Sequence, residues 1–158
     1  MIYDYNLDTS TLVMLVSEDE SRHRKEISIL LEGNTVIVTK TALREFSHIL
    51  ETTGGLIEKQ NTMRLLQTLI IVEDNPSDRF KCLSPSKSMG KNDLVIFGTG
   101  DFYGITTITA DMRFIRGCVF NIYIKGPMRK LILSQIKETG SAKDFSVHCH
   151  ETCPLIGK

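Results

Sequence analysis

Four carboxylates stand where short β-rich runs give way to helical ones. Asp8 follows the run Tyr3–Leu7. Glu45 lies near the start of a helical pattern that follows the β-branched run Thr35–Thr39. Asp93 opens a helical run reaching Tyr103, and Asp111 comes just past the run Ile105–Thr109. In an open parallel sheet, strand C-terminal ends and the helices that follow share one edge, and ligands bind in the crevice beyond it. Carboxylates gathered there repel one another and resist ionisation. A hard divalent cation, Mg²⁺ or Mn²⁺, resolves the repulsion because it takes oxygen ligands and keeps several waters. Such an ion activates water and offsets the charge of a phosphodiester undergoing displacement. An isolated Asp after a strand is usually a helix cap or a turn residue. The joint placement of four is what points to a metal site. No glycine-rich phosphate loop is present, which sets nucleotide-triphosphate chemistry aside.

The elements that must position these acids alternate in type, as in a parallel sheet with helices on its faces. Tyr3–Leu7, Thr35–Thr39, Leu69–Val72, Ile105–Thr109 and Phe120–Ile124 read as strands. A polar stretch from Ser17 to Glu26 leads into Ile27, Leu30 and Leu31, a helix end closed by Gly33. Ala42, Leu43, Phe46, Ile49 and Leu50 have helical spacing; Gly54 and Gly55 break it before a helix over Leu56–Leu66. Asn75–Lys91, with Pro76, Pro85 and Gly90, reads as loop. Asp93–Tyr103 reads as helix despite Gly98 and Gly100, and Gly104 turns the chain into the next strand. A last helix starts at Gly126–Pro127, buries Met128, Leu131, Ile132 and Ile136, and ends at Gly140. The expected architecture is a three-layer α/β/α sandwich around a central parallel sheet over residues 1–140, followed by a tail, 141–158.

A length of 158 residues suits one domain with a substantial core. Apolar residues make up 41% and charged residues 24%, as in a globular chain. Lys plus Arg equals Asp plus Glu, at 19 each, so a basic surface for nucleic acid must come from local clustering. Cys82, Cys118, Cys149 and Cys153 do not resemble a compact disulfide framework and read as reduced thiols in a cytosol. No apolar run approaches the roughly 20 residues of a membrane span, and no signal-peptide pattern opens the chain.

Three stretches resemble the PIN-domain nuclease family. Over Asn92–Phe114, Asp93 opens a helix of apolar and small residues, Gly104 makes a turn, and a strand ends in Thr109-Ala110-Asp111 shortly before Phe114. Leu7-Asp8-Thr9-Ser10 is similar to the family's opening strand, whose terminal Asp precedes small hydroxyl residues. Thr39–Phe46 is similar to the segment that places a Glu on the helix after strand two. Together they span Tyr3 to Phe114 in the family's order. The resemblance implies a metal-dependent endoribonuclease. Asp8, Asp93 and Asp111 would be its central metal-binding acids, with Glu45 completing the cluster or positioning water. Thr9, Ser10 and Thr109 would orient carboxylates through their hydroxyls. It also implies RNA as substrate and control by a cognate antitoxin or immunity protein. A homodimer is compatible with it, and so is a cytoplasmic location, including delivery into a target cell. Gly100, where Ala is more usual, and the tail after Gly140 depart from the family pattern. The alternatives are a DNA-directed nuclease and a catalytically silent PIN-like domain that binds RNA or a protein partner.

Other signals have plainer readings. Leu69–Asp78 resembles the first strand and acidic pair of a two-component receiver, but only 90 residues remain from Leu69, so Glu73 and Asp74 read as acids ending a strand. His148, Cys149, His150 and Cys153 crowd four metal-binding side chains into the tail without a second ligand pair at zinc spacing. Asp101 reads as solvated and His48 as an exposed helix residue. Lys87, Lys91, Arg113, Arg116, Lys125, Arg129 and Lys130 flank the crevice in sequence, as phosphate contacts or as solvated surface.

Overall fold

Residues 2–19, 22–87 and 89–111 are described by a computed structural model. Four strands, β1 (Tyr5–Leu7), β2 (Val36–Thr39), β3 (Ile70–Val72) and β4 (Thr106–Ile108), form an all-parallel sheet in the order β3-β2-β1-β4. Leu7 stands beside Val38 on one side and Ile108 on the other, so the ends of the central strands are level. All four residues of β2 are buried, as an apolar run in the middle of a covered parallel sheet requires. Among the described residues β3 is an edge, and its Ile71 is half exposed.

Helices α1 (Thr9–Val16), α2 (Arg22–Leu31), α3 (Lys40–Thr53), α4 (Leu56–Leu66), α5 (Asp78–Lys81) and α6 (Lys91–Phe102) flank the sheet. The core joins Leu7, Val38 and Ile108 of the strands to Leu12 of α1, Phe46 of α3 and Ile96 of α6. This is the α/β sandwich expected from the alternation of runs. None of the helices among the described residues is long and apolar enough to cross a membrane.

Two helices depart from expectation. Helix α1 is absent from the sequence reading because Leu12–Val16 is apolar throughout. A helix buried on most sides has no polar stripe and hence no helical period. The short α5 falls inside the expected loop Asn75–Lys91. The expected strand Phe120–Ile124, the helix from Gly126 to Gly140 and the tail 141–158 lie outside the described residues, as do Cys118, Cys149, Cys153 and the tail's histidines. Cys82 is exposed and unbonded.

Helix α6 carries two glycines where neighbours come too close for a side chain. A Cβ on Gly98 would lie 2.7 Å from Pro76 Cβ and 2.8 Å from Phe80 Cβ. A Cβ on Gly100 would lie 2.2 Å from Thr107 Oγ1 and 3.1 Å from Asn6 Nδ2. The small residue at 100 therefore lets α6 approach β1 and β4. Gly104 has φ +68°, the left-handed turn that sends the chain into β4.

Gly98→Ala sets helix propensity against packing. Propensity favours Ala by about 1 kcal/mol. Overpacking against two Cβ atoms that cannot swing aside costs about 1–3 kcal/mol. The expected result is a net loss, read as a lower urea midpoint with an unchanged slope. A midpoint at or above wild type would show that the α5–α6 contact is loose.

Candidate functional site

Asp8 ends β1 and caps α1. Its backbone N–H donates to Ile108 O at 3.0 Å, which ties the end of β1 to β4. The side chain is only 4% exposed. Its Oδ1 accepts from Thr9 N at 2.7 Å, and its Oδ2 accepts from Ser10 Oγ at 2.8 Å and Thr109 Oγ1 at 2.7 Å. Ser10 Oγ in turn accepts from Ala110 N, and Thr109 Oγ1 accepts from Asp111 N, both at 3.0 Å. One hydrogen-bonded net thus runs from the N-terminus of α1 to Asp111.

Glu45 lies in the second turn of α3. Thr9 Oγ1 donates to its Oε2 at 2.8 Å, and Asn92 Nδ2 donates to its Oε1 at 2.6 Å. The start of α3 is held by two side chains. Thr39 Oγ1 accepts from Ala42 N at 3.1 Å, while Asp74 accepts from Thr41 N at 3.0 Å and from Thr41 Oγ1 at 2.8 Å. Asp74, one of the acids read as ending a strand, is therefore a helix cap delivered from the end of β3. Its neighbour Glu73 pairs with Lys40. Asp93 sits in the first turn of α6, and its Oδ2 accepts from Gly90 N at 2.7 Å.

The charges of these acids act on one another. Burial pushes the Asp8 carboxyl above its ordinary value. Its three hydrogen bonds oppose the rise, and the charge of Glu45 adds to it. Asp93 is also raised, first by burial and then by the charges of Asp8, Glu45 and Asp111, against the Gly90 N–H. The four acids named from the sequence thus lie near one sheet edge. They do not converge on a point. Among the described residues no three His, Cys, Asp or Glu side chains stand close enough to hold one ion.

Residues outside this group take other places. Asp101 is not solvated as its sequence position suggested. It accepts from Ser77 and pairs with Arg79, and its side chain is 19% exposed. His48, Lys87 and Lys91 are exposed. Arg113, Arg116, Lys125, Arg129 and Lys130 lie outside the described residues. Sequence reasoning missed Asn92, since nothing local marks an Asn at a helix start as a partner of Glu45. It also missed Asn6, which is fully buried and donates to Ile96 O and Thr107 Oγ1, each at 3.0 Å. A polar residue inside an apolar strand was the available signal. Among the described residues the Oδ1 of Asn6 has no partner.

Asp93→Asn tests the electrostatics without metal. Asn keeps the acceptor for Gly90 N and removes the charge. A carboxyl raised in the folded state binds more protons there than in the unfolded chain. Its ionisation therefore lowers stability as pH rises from the ordinary value of 3.8 through the raised one. In chelator near pH 7, Asp93→Asn is expected to melt no lower than wild type. Any advantage should shrink toward zero as pH falls below 3.8. A mutant that melts lower at pH 7 and not at low pH would reverse the sign.

Comparison with known proteins places the fold. The VapBC2 structure from Rickettsia felis, bound to a DNA fragment from its promoter, matches with TM-score 0.53 and 20% identity, covering 73% of this chain and 92% of that one. VapC20 of Mycobacterium tuberculosis, a sarcin-ricin loop cleaving toxin, matches with TM-score 0.52 and 16% identity, covering 72% and 95%. PAE2754 from Pyrobaculum aerophilum matches with TM-score 0.53 and 15% identity, covering 85% and 90%. Likeness at such identities speaks to fold and not to function. A family model described as protein of unknown function (DUF1308) matches residues 15–127. With a PIN-like arrangement of sheet and helices, the chain belongs to the DUF1308 family.

Proposed function

We propose that this chain is a metal-dependent endoribonuclease in which Asp8, Glu45, Asp93 and Asp111 hold Mg²⁺ or Mn²⁺. The observation that carries this reading is that hydrogen bonds link the acids: Thr9 donates its N–H to Asp8 and its hydroxyl to Glu45, and Asn92, the residue before Asp93, donates to the other oxygen of Glu45. Such a concentration of negative charge, made only of oxygen donors, fits a hard cation. When bound, the ion would supply an activated water and neutralise charge on the phosphodiester. The chain's own groups set the geometry. Ser10 and Thr109 fix one oxygen of Asp8, and Thr9 N fixes the other. Thr9 and Asn92 hold Glu45 by both oxygens, so its carboxylate is available as a fixed group to position water.

RNA is the proposed substrate. The sarcin-ricin loop named for VapC20 supports a structured RNA target, and that protein's description as a toxin supports growth inhibition on expression. In the same vein, a small inhibitor protein is proposed to occlude the crevice. One observation favours a second reading, a silent PIN-like domain that binds RNA or protein: no three of the acids converge as the side chains stand.

Labelled RNA and DNA incubated with Mn²⁺, with Mg²⁺ and with excess chelator separate these readings. Cleavage of RNA that stops in chelator is expected. Asp8→Asn should lower it by at least about two orders of magnitude, because water activation and charge neutralisation depend on the same ion. Undiminished cleavage in chelator would remove the metal mechanism, and no cleavage under any condition would favour the silent domain.

A further inference from the structure

A second feature lies across α6 from the acids. Between α5, the following loop and the start of α6 runs an open groove of about 410 Å³. Its floor is apolar, with Phe80 and Leu94 buried beneath it. Leu83 and Pro85 form exposed apolar walls, and Lys81 and Lys91 stand at its rim. Among the described residues no acid and no side-chain hydroxyl or amide lines it. Its volume falls near the low end of the roughly 300–1,000 Å³ common for small-ligand sites.

We propose that this groove is a subsite for one nucleotide of a single-stranded RNA that runs from the acids around the start of α6. The proposal rests on the ribonuclease reading above. Position is the first support. Lys91, Leu94 and Val95 share one face of α6 and line the groove, whereas Asn92 of the same turn bonds Glu45. Groove and acids thus lie across a helix roughly 10 Å thick, a distance that a short run of extended strand crosses.

Charge complementarity is the second. Lys91 has no ion-pair partner among the described residues, and Lys81 pairs at 3.0 Å only with exposed Asp78. Exposed pairs of that kind are worth little and yield readily to a phosphate. Rigidity is the third. Pro76 and Phe80 press on Gly98, and Ser77 N donates to Gly98 O at 2.9 Å, so the part of the groove formed by Pro76 and Phe80 is fixed on α6 before any ligand arrives. With no side-chain amide, hydroxyl or carboxylate among its described lining residues to read base edges, the subsite takes a base by apolar contact and not by its sequence.

Fluorescein-labelled RNA octamers of U, A and C are titrated with the wild-type chain in chelator, by anisotropy, at about 50 and 300 mM salt. The Lys81→Ala/Lys91→Ala variant is expected to bind all three more weakly at low salt. Its salt slope should fall by about 1.4, roughly 0.7 for each lost phosphate contact. Leu83→Ser should weaken all three by a similar factor with the slope unchanged. Melting curves check that both variants are folded. Wild-type affinity and slope in both variants would overturn the subsite, leave the nuclease reading intact and assign the groove to another occupant such as a protein. A wild-type chain that neither binds RNA in chelator nor cleaves it in Mn²⁺ would overturn both.

Discussion

The buried carboxylate of Asp8 is the interaction on which the rest of the site depends. An anion taken out of water is tolerated only where donors replace its hydration. Here three donors do so, two from the first turn of α1 and one from Thr109 at the end of β4. They meet only if β1 and β4 are neighbours in register, which the pairing of Leu7 with Ile108 provides. The same hydroxyls accept from the amides of Ala110 and Asp111, so satisfying Asp8 also directs the chain that carries the next acid.

Placing the other two acids requires helices at close range. Glu45 depends on α3, whose first amides are taken by Thr39 and Asp74. Asp93 depends on α6, which reaches the sheet because Gly98 and Gly100 present no side chain to Phe80 and Thr107. Asn6 lies beneath that approach, and its amide spans α6 and β4 through Ile96 O and Thr107 Oγ1. Residues with no acid of their own thus decide how near the acids stand.

Much of this was legible in the chain. Helix α4 occupies Leu56–Leu66, the bounds read from the sequence after Gly54 and Gly55, and the four strands lie within the β-rich runs. The ends of those runs located Asp8 and Asp111, because strand ends in a parallel sheet share an edge. Helix α1 was hidden by its lack of a polar face. Asp74 showed as an acid after a strand, but its partner Thr41 lies 33 residues away, and no local pattern carries that pairing. Asn92 was opaque for the same reason, since its partner Glu45 is 47 residues distant. Side-chain convergence was illegible too: residues near one edge need not aim at one point.

The pairing of β1 with β4 also has a consequence in time. Asp8 and Thr109 are separated by 101 residues, among the longest closures in the sheet. β1 and β2 are joined by a far shorter loop, and short loops close first. During synthesis a growing chain can pair β1 with β2, then β2 with β3, while Asp8 still lacks its donor from Thr109. The pocket around Asp8 is therefore completed only after β1, β2 and β3 can have paired. A nascent chain stays without the Thr109 donor to Asp8, and without Asp111, until residue 111 has emerged.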